Sequence, residues 1–347
     1  MEQKHVGIRD VAKAAGVSVT TVSHVLNETP YARTSADTRR KVKEAAKALG
    51  YGPNRMAQSL RTKRSGMIGL LSEEIATTPH AGRIILGAQE TARRHDLTLV
   101  IINSERDASD STHRADVDAL VDRQVDGILY ATMYHREISL PANLSGTPAV
   151  LIDAVDRAGL VASVVPDEVG GARTAVQALI DAGHRRIGFL NNSDDVPATR
   201  GRLQGYRDVL DGTGVPFDES LVLSAISEPA EGYAAALRIL SADNPPTALF
   251  CYNDRMAMGA YRAAAELGLT IPRDLSVVGF DNQEIIAENL HPGLTTVALP
   301  HYEMGAWAVE TLVELIQGHE ELTLAAHYPT VLPCPLVTRE SIAAPRG

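Results

Sequence analysis

The feature that most constrains this chain is a pair of short amphipathic helices predicted over residues 8–27. The apolar positions of the first helix recur at i, i+3, i+4 and i+7, which places them on one face. These positions are Ile8, Val11, Ala12 and Ala15. Small residues at the turn, Ala15 and Gly16, permit a close crossing of the second helix, for which Ser18 is a favourable N-cap. Two such helices joined by a tight turn are typical of a helix-turn-helix that reads DNA.

The second helix is predicted to turn three apolar residues inward, namely Val22, Val25 and Leu26. Val19, Thr20 and His24 are then left on its outer side, where we expect them to contact base edges. A third helix is predicted from a Ser35 cap to a stop at Gly50. Its apolar face is expected to consist of Val42, Ala45, Ala46 and Leu49. The alternative is a small helical bundle that binds no ligand.

Charge favours the DNA-binding interpretation of this N-terminal part. Residues 1–66 hold six lysines and seven arginines against two aspartates and three glutamates, a net charge of +8. The whole chain has a net charge of −10, so the remainder carries −18, and all six lysines precede residue 64. A cationic head on an acidic body is suited to binding that releases counterions from DNA.

Composition limits what the rest of the chain can be. With 347 residues, of which 44% are hydrophobic, the chain is long enough for the small head and one or two α/β domains. It contains neither a signal-peptide pattern nor an apolar run of roughly 18 residues, so we expect a soluble cytoplasmic protein without a membrane partner. Cys251 and Cys334 are far apart in apolar surroundings, which favours buried structural thiols over a disulfide or a metal site.

Eight short apolar runs alternate with helical patterns after residue 66, which predicts βαβ units and parallel sheets. The runs are residues 67–71, 97–102, 127–131, 149–153, 187–191, 221–226, 248–252 and 276–281. They form two sets of four, separated by residues 164–171. We therefore expect an α/β body of two doubly wound parallel-sheet subdomains, with a ligand cleft at the carboxyl ends of the strands.

Asx residues directly follow most of these strands: Asn103, Asp153, Asn191, Asn192, Asn253, Asp254, Asp281 and Asn282. Any one of them can be a turn former or a helix cap. Their repetition in both halves favours a polar cleft, because carboxylates and amides form several hydrogen bonds to a polyhydroxylated ligand.

An enzyme is the weaker hypothesis. The chain contains no dinucleotide-binding glycine fingerprint, phosphate-binding loop, nucleophile elbow or zinc-protease motif. The body also has no lysine for a Schiff base or for clamping a phosphate, and His184 precedes a strand as a boundary residue. We expect no catalytic residues, no cofactor and no metal site.

These residues resemble the lactose- and galactose-repressor family, LacI/GalR, and in particular its purine-repressor branch. The resemblance spans nearly the whole chain and rests on residues 10–12, 15–18, 21–27, 57–60, 170–171, 183–187, 202–206, 253–260, 278–281 and 294–296. It implies a helix-turn-helix head followed by a periplasmic-binding-protein-like body. The implied domains are 1–52 for the head, 53–66 for the hinge helix and linker, and 67–347 for the core. Within the core the implied subdomains are about 67–165 with 296–325, and about 166–295 with 326–347.

The resemblance also implies a set of DNA contacts. The expected residues are Val19, Thr20, Thr21, Ser23, His24 and Asn27 in the head, and Asn54, Ala57, Gln58, Leu60 and Arg61 in the hinge. In the family the hinge helix folds on the operator, and the residue matching Leu60 is wedged into the minor groove, where an apolar wedge kinks the duplex. An isolated eight-residue helix is too short to persist in water. Gln58 stands where the family commonly has Arg.

The family's effector-binding positions match Asp153, Arg202, Asn253 and Asp281. The resemblance implies a repressor whose affinity for a pseudo-palindromic operator is controlled by a small molecule bound between the subdomains. A sugar or polyol is the favoured effector, a nucleobase or nucleoside the second, and a partner protein the third. Ser227 falls where relatives have an aromatic wall, and Pro166 replaces the usual Asp of a family motif. A homodimer is expected, because residues 331–347 lack the apolar heptads of tetrameric relatives.

Two other classes remain as alternatives. A solute-binding protein shares the two-lobed body but requires a signal peptide and lacks a basic head. A sugar-modifying enzyme on a similar α/β scaffold would show turnover of candidate sugars with a nucleotide. Neither alternative explains the first 66 residues.

Overall fold

The computed structural model describes residues 6–27, 34–51, 64–78, 81–105, 109–144, 146–318 and 329–346. The chain divides into two units, Met1–Gly66 and Met67–Gly347. In the described parts of the first unit there are three helices: α1 (Ile8–Ala15), α2 (Val19–Leu26) and α3 (Ala36–Ala48).

Local sequence signals set the limits of these helices. Gly16 ends α1 with a φ of +66°, a conformation that glycine adopts without strain, and the Val17 amide donates to the Ala12 carbonyl (3.1 Å). Ser18 Oγ accepts from the Thr21 amide (3.0 Å) and caps α2. The predicted helix-turn-helix is therefore confirmed, including its turn and its cap.

The three helices share a small apolar core, formed by Val11, Ala12, Val22, Val25, Val42 and Ala46. Leu26 and Ala45 pack against this core while partly buried. Leu49 differs from the prediction, because α3 ends at Ala48 and Leu49, its C-cap, is 36% exposed.

The second unit contains two six-stranded sheets with corresponding strand orders. The first has the order β11-β5-β4-β3-β1-β2, and its strands are β1 (Met67–Glu73), β2 (Thr98–Ser104), β3 (Ile128–Ile138), β4 (Ala149–Asp156), β5 (Ala162–Pro166) and β11 (Thr330–Leu332). The second has the order β12-β10-β9-β8-β6-β7, and its strands are β6 (Ile187–Asn192), β7 (Val222–Ala225), β8 (Ala248–Cys251), β9 (Ser276–Asp281), β10 (Thr295–Ala298) and β12 (Leu336–Val337). All neighbours pair in parallel except β10 and β12.

Helices accompany both sheets, as the alternating pattern predicts. The described helices of this unit are α4 (Gly82–Arg94), α5 (Asp110–Val121), α6 (Glu168–Asp181), α7 (Pro197–Gly212), α8 (Pro229–Leu240), α9 (Asp254–Glu266), α10 (Glu284–Ala287) and α11 (His301–Ile316). None of the helices in the described ranges is both long and apolar enough to span a bilayer. Cys251 and Cys334 are both buried free thiols, as predicted.

Four strands were not predicted: β5, β10, β11 and β12. They contain five residues or fewer, and pairing with distant strands defines them more than any pattern of their own. The eight predicted strands divide four and four between the two sheets, as expected, but each sheet has two more strands than predicted. One of these, β5 (residues 162–166), lies within and just before the expected separator.

The chain passes between the two sheets after β5, after β10 and between β11 and β12. These passages shift two expected boundaries. Residues 296–298 belong to the second sheet through β10, and residues 330–332 belong to the first through β11, each opposite to the expected assignment. In each case the segment pairs in parallel with a strand of that sheet: β10 with β9, and β11 with β5.

Two glycines allow the helices α4 and α11 to pack closely against each other. A Cβ added at Gly87 would lie 2.0 Å from the Tyr302 carbonyl oxygen. A Cβ added at Gly305 would lie 2.1 Å from the Ile84 carbonyl oxygen. Only residues without a side chain fit at these two positions.

Candidate functional site

The outer surface of α2 carries the residues predicted to contact bases. Val19 is 40% exposed, Thr20 is exposed and His24 is partly exposed. Val22 and Val25, on the opposite face, are buried in the small core. The helix therefore presents one short, largely uncharged surface whose methyl groups suit contact with thymine and whose imidazole can bond a base edge.

The other predicted contacts of the head make hydrogen bonds within α2. Thr21 Oγ1 lies 2.8 Å from Ser18 Oγ, and Asn27 Nδ2 donates to Ser23 O (2.8 Å) and Ser23 Oγ (3.1 Å). These bonds brace the two ends of the helix. The five predicted hinge contacts lie outside the described residues: Asn54, Ala57, Gln58, Leu60 and Arg61.

The body has a second candidate site, formed by the C-terminal half of β4 and the carboxyl end of β9. Asp153 of β4 and Asp281 of β9 both have positive φ angles, +59° and +101°. Non-glycine residues in this region carry backbone strain, which is often found at binding sites. Asp153 is 3% exposed, and its Oδ1 atom has no hydrogen-bond partner among the described groups.

Arg202 on α7 is the centre of a buried charged cluster. Its Nε donates to Glu168 Oε2 (2.8 Å), and its Nη1 donates to the Tyr252 carbonyl and lies 3.6 Å from Asp281 Oδ1. The guanidinium lies between two rings, 3.7 Å from the centroid of Phe280 and 4.3 Å from that of Tyr252. The Arg202 guanidinium is thus held in place by aromatic rings and carboxylates.

The titration of this cluster follows from its burial. Burial raises the pKa of the Asp153 carboxyl well above its usual range, the Glu168 and Asp281 carboxylates act in the same direction, and Arg202 opposes them. Burial also raises the pKa of Glu168, against the effect of Arg202. The cluster therefore contains more carboxyl groups than the one guanidinium neutralises.

Asn253 was predicted to contact the effector, but its side chain is engaged elsewhere. Its Oδ1 accepts from the Met256 amide (2.8 Å) as the N-cap of α9, and its Nδ2 donates to the Ser227 carbonyl (3.0 Å). This is the turn-former alternative for strand-end Asx residues. An effector contact by Asn253 stays a prediction from the resemblance.

Several other strand-end residues are also structural. Asn103 Oδ1 accepts from Ser72 Oγ (2.9 Å) and from the Ala76 amide (3.2 Å). Asp254 accepts from Thr296 Oγ1 (2.5 Å) and from the Gln283 amide (2.6 Å), which fixes the backbone after Asp281. The repeated Asx pattern thus mixes bracing residues with cleft residues.

Sequence reasoning missed a second group of buried polar side chains, in the first sheet. Glu73 ends β1, is 1% exposed, and accepts from Tyr130 Oη (2.8 Å) and from Arg136. The pairing of β3 with β4 shifts between Ala131 and Arg136, so a bulge intervenes. His135 lies in this bulge, and its Nδ1 is buried without a described partner.

The environment of His135 ties the bulge to α7. Burial lowers the pKa of His135 to about 4, and the charges of Arg200 and Arg202 on α7 lower it further. The imidazole is therefore neutral at neutral pH. No signal in the sequence identifies it, because a bulge does not alter the apolar pattern of a strand.

A cavity of about 720 Å³ adjoins this cluster through Asp281. Segments from both subdomains line it, including Leu299, Leu332 and Pro333 at the passages between the sheets. Arg83 on α4 and Glu284 on α10 form an ion pair at its rim (3.1 Å), although both side chains are more than half exposed. We call this cavity and the adjoining cluster around Arg202 the cleft.

The cleft and the helical head match known proteins. Residues 7–54 match the family model described as bacterial regulatory proteins, lacI family, and residues 176–342 match the periplasmic binding protein-like domain. The HTH-type transcriptional repressor PurR of Photorhabdus laumondii subsp. laumondii is 35% identical over 90% of this chain and 91% of that protein.

Two solved structures extend the match to the fold. The lac repressor dimer bound to operator and the anti-inducer ONPF has a TM-score of 0.78 at 29% identity, covering 98% of this chain and all of that one. The transcriptional regulator CelR in complex with cellobiose has a TM-score of 0.68 at 31% identity, covering 97% of this chain and all of that one. The chain is thus a helix-turn-helix transcription regulator with an effector-binding body, and it belongs to the lacI family of bacterial regulatory proteins.

Proposed function

We propose that this chain is a repressor that binds a pseudo-palindromic operator as a homodimer and responds to a sugar or polyol in the cleft. The observation that carries the proposal is the buried Arg202 cluster beside a cavity shared by two subdomains. Relatives of this chain are regulators and not enzymes, and the proposal assigns no catalytic residue, cofactor or metal. Binding to chromosomal DNA would place the protein in the cytoplasm.

The DNA-binding part of the proposal rests on exposure and charge. Val19, Thr20 and His24 form the surface of α2 that enters the major groove, and the net charge of +8 on residues 1–66 supplies phosphate attraction. Thr21, Ser23 and Asn27 position this helix and contact the backbone of the DNA. The hinge residues, with Leu60 as the minor-groove wedge, complete the interface on the strength of the family resemblance.

The effector class is inferred from the chemistry of the cleft. A carboxylate acceptor, a forked donor and a cavity of about 720 Å³ suit a ligand with several hydroxyl groups. CelR, which shares this fold, binds cellobiose. A nucleobase or nucleoside is the second candidate, favoured by the similarity to PurR repressors.

The effector acts by binding two arrangements of the body with unequal affinity. Two of the three chain passages that join the sheets line the cavity, the one after β10 and the one between β11 and β12, so a ligand there contacts both subdomains at once. Coupling of this kind changes DNA affinity by about 5- to 150-fold.

The proposal is tested with the full-length protein. An operator is first selected from random duplex oligonucleotides at low ionic strength. Fluorescence anisotropy then measures operator affinity with and without sugars, polyols, nucleobases and nucleosides. A change in affinity with a sugar or polyol supports the proposal, and a response to nucleobases alone supports the second candidate. Turnover of any sugar with a nucleotide would contradict it.

A further inference from the structure

The loop that follows β9 begins with two residues that have positive φ angles. Asp281 has a φ of +101° and Asn282 a φ of +52°, a region that residues other than glycine adopt rarely. The Gln283 amide donates to Asp254 Oδ2 (2.6 Å), which fastens the loop to the interior. Arg339 Nη2 donates to Asn282 Oδ1 (2.9 Å), which fastens it a second time. Neither bond uses the Gln283 side chain, so the path of the backbone does not depend on that side chain.

The Asp281 carboxylate receives its hydrogen bond from the Gln283 side chain. Gln283 is 8% exposed, and its Nε2 donates to Asp281 Oδ2 (3.0 Å). The other oxygen, Oδ1, lies 3.6 Å from Arg202 Nη1, which is too long for a hydrogen bond. Arg202 instead donates to Glu168 and to the Tyr252 carbonyl. Among the described residues, the Gln283 amide is thus the one group that is hydrogen-bonded to the Asp281 carboxylate.

Charge gives this bond more weight than a contact between two neutral groups. Asp281 repels three buried carboxyl groups, those of Asp153, Glu168 and Asp254. A neutral amide stabilises a carboxylate in such surroundings without adding charge, and hydrogen bonds to charged groups are stronger than those between neutral groups. Without the Gln283 donor, repulsion should turn the Asp281 carboxylate away from these three groups.

We propose that Gln283 is a positioning residue of the cleft, whose side-chain amide orients the Asp281 carboxylate toward the effector. The inference rests on the proposed function, because it concerns the ligand of the same cleft. Both residues line the cavity of about 720 Å³. Because Asp254 holds the loop backbone, replacing the Gln283 side chain changes the orientation of one carboxylate and leaves the fold intact. The loss in effector affinity should be about tenfold, the size expected for one hydrogen bond to a charged group.

The test uses the full-length protein with cellobiose, glucose, galactose, ribose, adenine and adenosine as probes. Shifts in melting temperature identify the probes that bind, and isothermal titration measures their affinities. Gln283→Met keeps an unbranched side chain of similar size and removes the amide, so it should weaken binding about tenfold.

Gln177→Met is the matched control for this variant. Gln177 Nε2 donates to Asp181 Oδ1 (2.7 Å) on the exposed surface of α6, so the variant removes a bond of the same kind far from the loop after β9 in sequence. It should change the affinity of a probe by less than about twofold, as surface substitutions usually do.

A double-mutant cycle separates positioning from a direct contact between Gln283 and the probe. Asp281→Asn keeps the shape of the side chain and removes its charge, and asparagine tolerates a positive φ angle. In this background Gln283→Met should cost less than about threefold, because a bond to a neutral acceptor is weaker. A packing role or a direct contact would cost the same factor in both backgrounds, which would overturn the inference.

Crystal structures of the original and Gln283→Met proteins without a probe give a second readout. The Asp281 carboxylate should turn away from Arg202, while the bond from the amide of residue 283 to Asp254 persists. An unmoved carboxylate, or a probe affinity that Gln283→Met does not change, overturns the inference but leaves an effector-controlled repressor. Binding of adenine or adenosine alone refutes the sugar proposal, and the same variants then decide the role of Gln283. Absence of binding by every probe overturns the proposed function and the inference with it.

Discussion

Replacing Arg202 with alanine tests the buried cluster most severely. The substitution removes the donor to Glu168 Oε2 (2.8 Å) and to the Tyr252 carbonyl, and it empties the space between two aromatic rings. Glu168, which is 5% exposed, loses its described arginine partner. Removing one partner of a buried ion pair costs about 3–5 kcal/mol, mostly because the other charge stays buried.

This loss in the free energy of unfolding corresponds to a large decrease in melting temperature. For domains of 150–250 residues, each kcal/mol corresponds to roughly 2–4 °C, so Arg202→Ala should lower the melting temperature by about 6–20 °C. The Arg173→Ala variant is the control, because Arg173 is 56% exposed in its pair with Asp208 and should contribute less than about 1 kcal/mol.

A double-mutant cycle separates charge from packing. In a Glu168→Gln background no charge remains at that position, so Arg202→Ala should cost about 2–3 kcal/mol less than it does in the original protein. Calorimetry and urea denaturation of all four proteins give the coupling. Additive effects, or a loss below about 1 kcal/mol for Arg202→Ala, would refute the reasoning. The surviving Arg202→Ala protein should also bind its operator without responding to effector.

Three further predictions concern packing, titration and the hinge. Gly305→Ala forces a Cβ to within 2.1 Å of the Ile84 carbonyl oxygen, so denaturation should show a loss of about 1–3 kcal/mol, and an unchanged midpoint would contradict the packing. The raised pKa of Asp153 means that the original protein loses stability as pH rises above about 3.8, so the stability gained by Asp153→Asn should grow with pH, and a gain independent of pH would contradict this. Leu60→Ala, outside the described residues, should reduce operator bending and affinity in gel-shift assays, whereas unchanged bending or altered effector binding would contradict a wedge role.

Much of the fold follows from short-range patterns in the sequence. Ser18 and Ser35 cap helices as predicted, and Gly16 makes the turn between the first two. Eight strands, β1–β4 and β6–β9, were predicted because each coincides with an apolar run in the sequence. The short strands, such as β11 and β12, were missed because only long-range pairing creates them.

The site was harder to predict than the fold. Asp153, Arg202 and Asp281 are brought together as expected. Asn253, like Asp153, stands at the end of an apolar run in the sequence, and sequence cannot tell a helix cap from a ligand contact. His135 was missed because its position depends on a bulge, and this depends on the pairing of two strands.

The central claim is that a basic helical head is controlled by a small molecule in an acidic body. The most direct measurement is the anisotropy of a labelled operator, selected from random oligonucleotides, titrated with full-length protein at several salt concentrations with and without the effector found above. The account predicts a two-fold-symmetric preferred sequence, affinity that falls steeply with salt, and at least a fivefold change with effector. Absence of a preferred sequence, or an affinity that no ligand changes, would contradict it.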